Sequence, residues 1–230
     1  LSNIPTIAPF LLPRVLPALA RACPRLEIQL HEEVTHQGCE ALARGGRDCM
    51  LLALPYPTDG LEHAALFDDP IVVALRQDEP LAFRSEISPA DLPAERMLLL
   101  DEGHCLRDQA LSACERPDLD RRSMHGASIH TLVQLIDAGM GISLIPGMAM
   151  EAGVAERTAV AARPLAAPEA RRTIALAWRR GSPRAEEFAL LADKIRGIWN
   201  PEHVSKPVAG LYDLCGLGAA ETPEEPALAL

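Results

Sequence analysis

Short apolar runs alternate with amphipathic stretches along this chain, and the two spacings predict strands and helices in turn. Ile4-Pro5-Thr6-Ile7 reads as the end of a strand. From Pro9 to Cys23, Phe10, Leu11, Val15, Leu16 and Leu19 recur at helical spacing. Leu26 to Leu30 alternates apolar and polar, which predicts a strand. Thr35 suits the N-cap of a short helix to about Ala43, stopped by Gly45-Gly46. Cys49 to Leu54 is an unbroken apolar run, the pattern of a strand buried on both faces. Between Leu66 and Leu75 two strand-like runs flank the polar break Asp68-Asp69-Pro70, where a crossover between domains is expected. Ala90 to Arg96 is helix-prone.

Met97 to Leu100 predicts a strand, followed by the loop Asp101-Glu102-Gly103-His104 and a helix beginning at Cys105. Ser128 suits the N-cap of a helix through Ala138, with Leu132, Leu135 and Ile136 on one face, and Gly139-Met140-Gly141 ends it. Ile142 to Pro146 and Thr173 to Trp178 read as strands. Pro183 to Trp199 reads as a helix with Phe188, Leu191, Ile195 and Ile198 inward. Strands alternating with helices imply an α/β fold with mostly parallel sheets. After Asn200 the proline, glycine and acidic residues predict a tail, 200–230, without its own core.

Charge narrows the function classes. The net charge is −10, and Lys194 and Lys206 are the only lysines. That balance repels nucleic acid. Aromatic residues make up 3% of the chain, too few for base- or sugar-stacking platforms. Pro5, Pro9, Pro13, Pro17 and Arg14 interrupt the apolar opening, so it does not read as a membrane span. The cysteines 23, 39, 49, 105, 114 and 215 show no CxxC or zinc-ligand spacing. They read as reduced thiols of a cytoplasmic protein, with no metal site.

The chemistry concentrates in Gly103-His104-Cys105-Leu106-Arg107-Asp108-Gln109, with Cys114 following. Unpaired amides and the dipole at a helix N-terminus favour negative charge, so a thiol in the position of Cys105 can ionise more easily than a free one. His104 and Arg107 add cationic or hydrogen-bonding help, and Asp108 opposes them. Across a helix the nine steps to Cys114 span roughly 13.5 Å. A disulfide needs Cα atoms within about 7 Å. Joining these thiols therefore requires unwinding the helix. The same spacing also fits two unrelated core cysteines. Thr6 reads by itself as a strand-end hydroxyl, Thr35 as a cap, Arg172 as a solvated charge beside Arg171, and Arg107 with Asp108 as a local ion pair.

The cysteine segment resembles the regulatory (effector) domain of the peroxide-sensing LysR-type transcription regulators. Ile4-Pro5-Thr6 with Pro9-Phe10-Leu11-Leu12-Pro13, Leu30-His31-Glu32 with Thr35-His36-Gln37, Ala138-Gly139-Met140-Gly141-Ile142 with Leu144-Ile145-Pro146, Arg171-Arg172-Thr173-Ile174 and Gly181-Ser182-Pro183 agree with it. The resemblance covers about residues 1–199. It implies two Rossmann-like subdomains of the type 2 periplasmic-binding-protein fold, joined by two crossovers. One comprises 1–67 plus 174–199 and the other 68–173.

The resemblance further implies that Cys105 is the peroxidatic thiol, oxidised by hydrogen peroxide to a sulfenic acid, and that Cys114 resolves it to an intramolecular disulfide. Thr6, Thr35, His104, Arg107, Asp108, Gln109 and Arg172 would line the peroxide pocket. It implies no cofactor, a homodimer (a tetramer in the full-length protein), contact with RNA polymerase, and a thiol reductant such as a glutaredoxin. Promoter DNA would be bound through an N-terminal winged helix-turn-helix domain that this chain lacks. Two other functions fit the same residues: an effector domain taking a small organic ligand in its interdomain cleft, and a thiol peroxidase.

Overall fold

A computed structural model of the chain describes residues 1–116, 118–121 and 124–199. The tail expected over 200–230, with Cys215, lies outside the described residues. The elements are β1 (Ser2–Asn3), α1 (Ala8–Ala22), β2 (His31–Glu32), α2 (Thr35–Ala43), β3 (Cys49–Leu54), β4 (Leu61–Arg76), β5 (Met97–Leu100), α3 (Cys105–Cys114), α4 (Asp118–Arg121), β6 (Met124–Gly126), α5 (Ile129–Asp137), β7 (Ile142–Pro146), α6 (Gly147–Glu151), β8 (Val160–Pro164), β9 (Arg171–Arg179) and α7 (Ala185–Trp199). The strands follow the order β2-β1-β3-β9-β4-β7-β5-β6, and β8 pairs with β4.

The α/β class holds, and the sheet is mixed rather than mostly parallel. β1 pairs parallel with β2 and β3, and β5 with β6 and β7. β9 pairs antiparallel with β3 and β4, and β4 pairs antiparallel with β7 and β8. The polar break between Leu66 and Leu75 does not interrupt a strand. β4 runs through it, absorbing the irregularity in a register shift between Ala65 and Phe67. Residues 61–70 of β4 pair with β9, whereas 71–76 pair with β7 and β8. One strand thus serves both groups of parallel strands.

Three further expectations change. Pairing of β1 stops at Asn3, and Ile4 to Ile7 form the turn into α1, whose first turn takes Pro9 because its amides need no internal partner. Leu26 to Leu30 pair as no strand, and only His31–Glu32 join β1. Ala90 to Arg96 form two short 3₁₀ turns. Ser128 caps α5 as expected, its hydroxyl accepting from the Thr131 amide at 3.1 Å. Gly141 is required by contact: a Cβ there would lie 2.2 Å from the Arg96 carbonyl oxygen. The core is continuous across both strand groups, from Leu11 on α1 through Leu51, Val73 and Leu176 to Ile145.

Candidate functional site

Four helices start where parallel strands end: α1 after β1, α2 after β2, α3 after β5 and α6 after β7. Strand ends feeding helix N-termini are where ligands bind in open α/β sheets. Here the first residues of these helices meet around two buried groups, the Cys105 thiol and the Arg172 guanidinium.

Cys105 is the first residue of α3, and Cys114 is the last, as the spacing predicts. Gly103 forms the turn before it at φ +93, a conformation that favours glycine. Both thiols are buried and free. The Thr35 hydroxyl hydrogen-bonds the Cys105 sulfur. That contact replaces the cap expected of Thr35. Val34 occupies the N-cap, and Thr35 is the first residue of α2 with its side chain turned inward.

Arg172 is fully buried rather than solvated. Its Nε donates to Asp69 Oδ2 at 2.9 Å, Nη1 to the Thr6 hydroxyl at 2.9 Å, and Nη2 to the Thr6 carbonyl at 2.9 Å. Asp69 lies directly opposite Arg172 in the β4–β9 ladder and also accepts from the Met148 amide in the first turn of α6. Burial of an ion pair is tolerated when further hydrogen bonds satisfy both partners, as they do here. The Arg172 charge reaches Cys105 and favours its thiolate. Accepting from Arg172 leaves the Thr6 hydroxyl proton available to an adjacent oxygen.

Gln109 lies one turn after Cys105 on the same face of α3. Its Nε2 donates to the Ala53 and Pro55 carbonyls at 3.2 and 3.1 Å, tying α3 to the end of β3. Its buried Oε1 has no hydrogen-bond partner among the described residues. Thr35 and Arg172 thus act directly on Cys105, Thr6 is tied to it through Arg172, and Gln109 follows one turn along α3. Asp108 is exposed, and its charge opposes the thiolate. Arg107 is buried and pairs with Glu102 at 3.7 Å. His104 is the N-cap residue of α3 without a side-chain cap bond. Burial lowers its pKa against the opposing charges of Asp101 and Glu32, which disfavours the cationic form. Sequence reasoning missed Asp69 and Met148.

The balance left open at Cys105 falls against ionisation. Burial pushes the thiol up, and the Thr35 hydrogen bond and the Arg172 charge only partly offset it. Burial likewise pushes Cys39, Cys49 and Cys114 up to about 11. A thiol whose pKa is higher folded than unfolded holds its proton more tightly in the folded state. Its stabilisation is intact below the unfolded value near 9 and disappears as pH rises toward about 11. Stability measured by denaturant titration is therefore expected to fall across that window. A flat profile from pH 9 to 11 would contradict the buried-thiol assignment.

The fold and this arrangement of helix starts define a class. Residues 1–198 match the LysR substrate binding domain, and the chain belongs to that family. It is 41% identical over 194 residues to a "Hydrogen peroxide-inducible genes activator" of Pectobacterium carotovorum subsp. carotovorum, covering 84% of this chain and 64% of that protein. To the "DNA-binding transcriptional dual regulator OxyR" of Escherichia coli (strain K12) it is 40% identical, covering 84% of this chain and 63% of the relative. The chain therefore spans just under two thirds of these relatives. Among solved structures it is similar to the reduced form of OxyR (TM-score 0.77, 37% identity, 88% of this chain and 96% of that one). It is also similar to the reduced OxyR2 regulatory domain of Vibrio vulnificus (TM-score 0.79, 34% identity, 86% and 93%).

Among the described residues no helix is long and apolar enough to cross a membrane. No group of three or more His, Cys, Asp or Glu among them is arranged to hold a metal ion.

Proposed function

We propose that this chain is the hydrogen peroxide-sensing regulatory domain of a LysR-type transcription regulator. The observation that carries the reading is the Thr35 hydroxyl bonded to the Cys105 thiol and the buried Arg172 charge that acts on it, with the unpaired Gln109 Oε1 one turn further along α3. Peroxide has two O–H donors and two acceptor oxygens. Gln109 Oε1 accepts from one O–H, and the Thr6 hydroxyl donates to an oxygen. The Cys105 sulfur attacks one oxygen and the O–O bond breaks. Cys105 becomes a sulfenic acid, and the departing hydroxide takes the thiol proton as water. Donors already aimed at the developing negative charge lower this barrier even though the resting thiol is protonated.

Cys114 then attacks the Cys105 sulfur, forming the disulfide and releasing a second water. Reach across α3 requires the helix to unwind, so the chemical event changes the fold, as a switch requires. The domain thereby reports by shape, as a homodimer, to promoter DNA held by a separate N-terminal domain. Recycling by a cytoplasmic thiol reductant resets it, and slow resetting separates a sensor from a thiol peroxidase. The net charge of −10 supports DNA contact through a segment other than this one.

Peptide mapping after a stoichiometric peroxide pulse, with free thiols alkylated, tests the reading. Cys105 is expected to lose its free thiol first, and Cys105→Ser is expected to abolish the response. Should Cys105 oxidise no faster than the buried Cys49, the peroxide-sensing reading fails and a small ligand among the helix starts replaces it.

A further inference from the structure

Three cysteines, not two, belong to the neighbourhood of the site. Cys39 lies on α2, one turn after Thr35. Residues four apart on a helix share a face, and side chains lean toward the helix N-terminus. Cys39 therefore leans toward Thr35, whose hydroxyl is bonded to the Cys105 sulfur. The two helix starts lie near each other: a Cβ at Gly103, just before α3, would come within 3.9 Å of the Val34 side chain, just before α2. Cys39 and Tyr56 both pack against the core that contains Cys105. The charges agree with this placement. A Cys105 thiolate pushes Cys39 up, and both cysteines act on Tyr56. Cys114 senses Arg116 and burial instead. In the reduced fold Cys39 thus shares the face of α2 that carries Thr35 against Cys105, while Cys114 stands at the far end of a ten-residue helix. Cys39 is also half-buried and free.

Building on the peroxide-sensing reading, we propose that Cys39 is a second resolving thiol, forming a Cys39–Cys105 disulfide that needs no unwinding of α3 and competes with Cys114. The Cys39 sulfur gives up its proton and attacks the sulfenic sulfur of Cys105. The S–S bond forms, the S–O bond breaks, and the hydroxide leaves with that proton as water. Two thiols are oxidised by two electrons, and one peroxide is reduced to two waters across both steps. A bond between neighbours across α2 and α3 leaves the helix folded. The chain then has two oxidised forms, one with α3 intact and one with it unwound. Their ratio sets how much of the oxidation becomes a change of shape.

The test is disulfide mapping of the wild-type chain, Cys114→Ser and Cys39→Ser, quenched at short times after a stoichiometric pulse of hydrogen peroxide. Dimedone traps any remaining sulfenic acid. The proposal expects a Cys39–Cys105 link early in the wild type and as the main product in Cys114→Ser. It expects loss of that link and a larger Cys105–Cys114 share in Cys39→Ser. Dimedone-trapped Cys105 with fully alkylated Cys39 in both the wild type and Cys114→Ser would overturn the role of Cys39 and leave peroxide sensing intact. Cys105 recovered as a free thiol in the wild type would overturn both. The wild-type measurement decides even if a cysteine variant folds poorly.

Discussion

Replacing Asp69 by alanine is expected to destabilise the protein by about 3–5 kcal/mol, the cost of leaving one member of a buried ion pair without its partner. Asp69 and Arg172 are almost completely buried, and water cannot fill in for the lost carboxylate as it would at the surface. A second loss adds to the first. The Met148 amide, bonded to Asp69 Oδ1 at 2.8 Å, sits in the first turn of α6, where no backbone acceptor is available. The same substitution reaches the chemistry. Arg172 is aimed by Asp69 on one side and Thr6 on the other, and its charge opposes the burial that holds Cys105 protonated. Slower oxidation of Cys105 is expected alongside the lower denaturant midpoint. The double variant Asp69→Leu with Arg172→Met removes both charges and is expected to be milder in stability than Asp69→Ala, but equally slow toward peroxide. That contrast separates a structural role from an electrostatic one. An Asp69→Ala midpoint within about 1 kcal/mol of the wild type would mean that the pair is not the anchor argued here.

Asp69 also marks where the sequence was readable and where it was not. Alternation through β9 places Arg172 on the same face as Ile174 and Leu176, and alternation through β4 separates exposed Asp68 from buried Asp69. The inward charge pair was therefore latent in the period-two pattern, but only once both segments are strands in register. Reading Asp68-Asp69-Pro70 as a break hid it. The α3 boundaries were legible because a glycine turn, a strand before it and the two cysteines all punctuate the same stretch. Leu26 to Leu30 misled because strand pairing needs a partner as well as a pattern, and β1 offers only two paired residues. The ionisation of Cys105 stays open in the sequence because a helix N-terminus is visible there and burial is not. Cys39 had no meaning until Thr35 was seen to touch Cys105.

Peroxide treatment is expected to strip α3 of its amide protection. The helix is poised for this. Helices as short as ten residues are marginal unless packing holds them. His104 gives α3 no side-chain cap, its last turn carries no basic residue, and it ends on Glu115 in the left-handed region at φ 51. That conformation is unfavourable for a residue with a Cβ. Two of its buried positions are the polar Arg107 and Gln109. Its stability rests on tertiary contacts: the Cys105–Thr35 bond, the Gln109 bonds to β3, and the buried Leu106, Ala110 and Cys114. Linking Cys105 to Cys114 removes the first of these and pulls the two ends of the helix together. The amides of 105–114 are then expected to exchange about a hundredfold faster or more, which corresponds to the loss of about 3 kcal/mol of local protection. Those of β3 and β9, in the core of the sheet, should not change. Hydrogen exchange on the Cys39→Ser variant gives the sharpest reading, because it removes the competing Cys39–Cys105 link. Equal protection of 105–114 before and after complete formation of the Cys105–Cys114 disulfide would sink the coupling between oxidation and shape. In that case the two thiols would have to meet by a rearrangement outside α3.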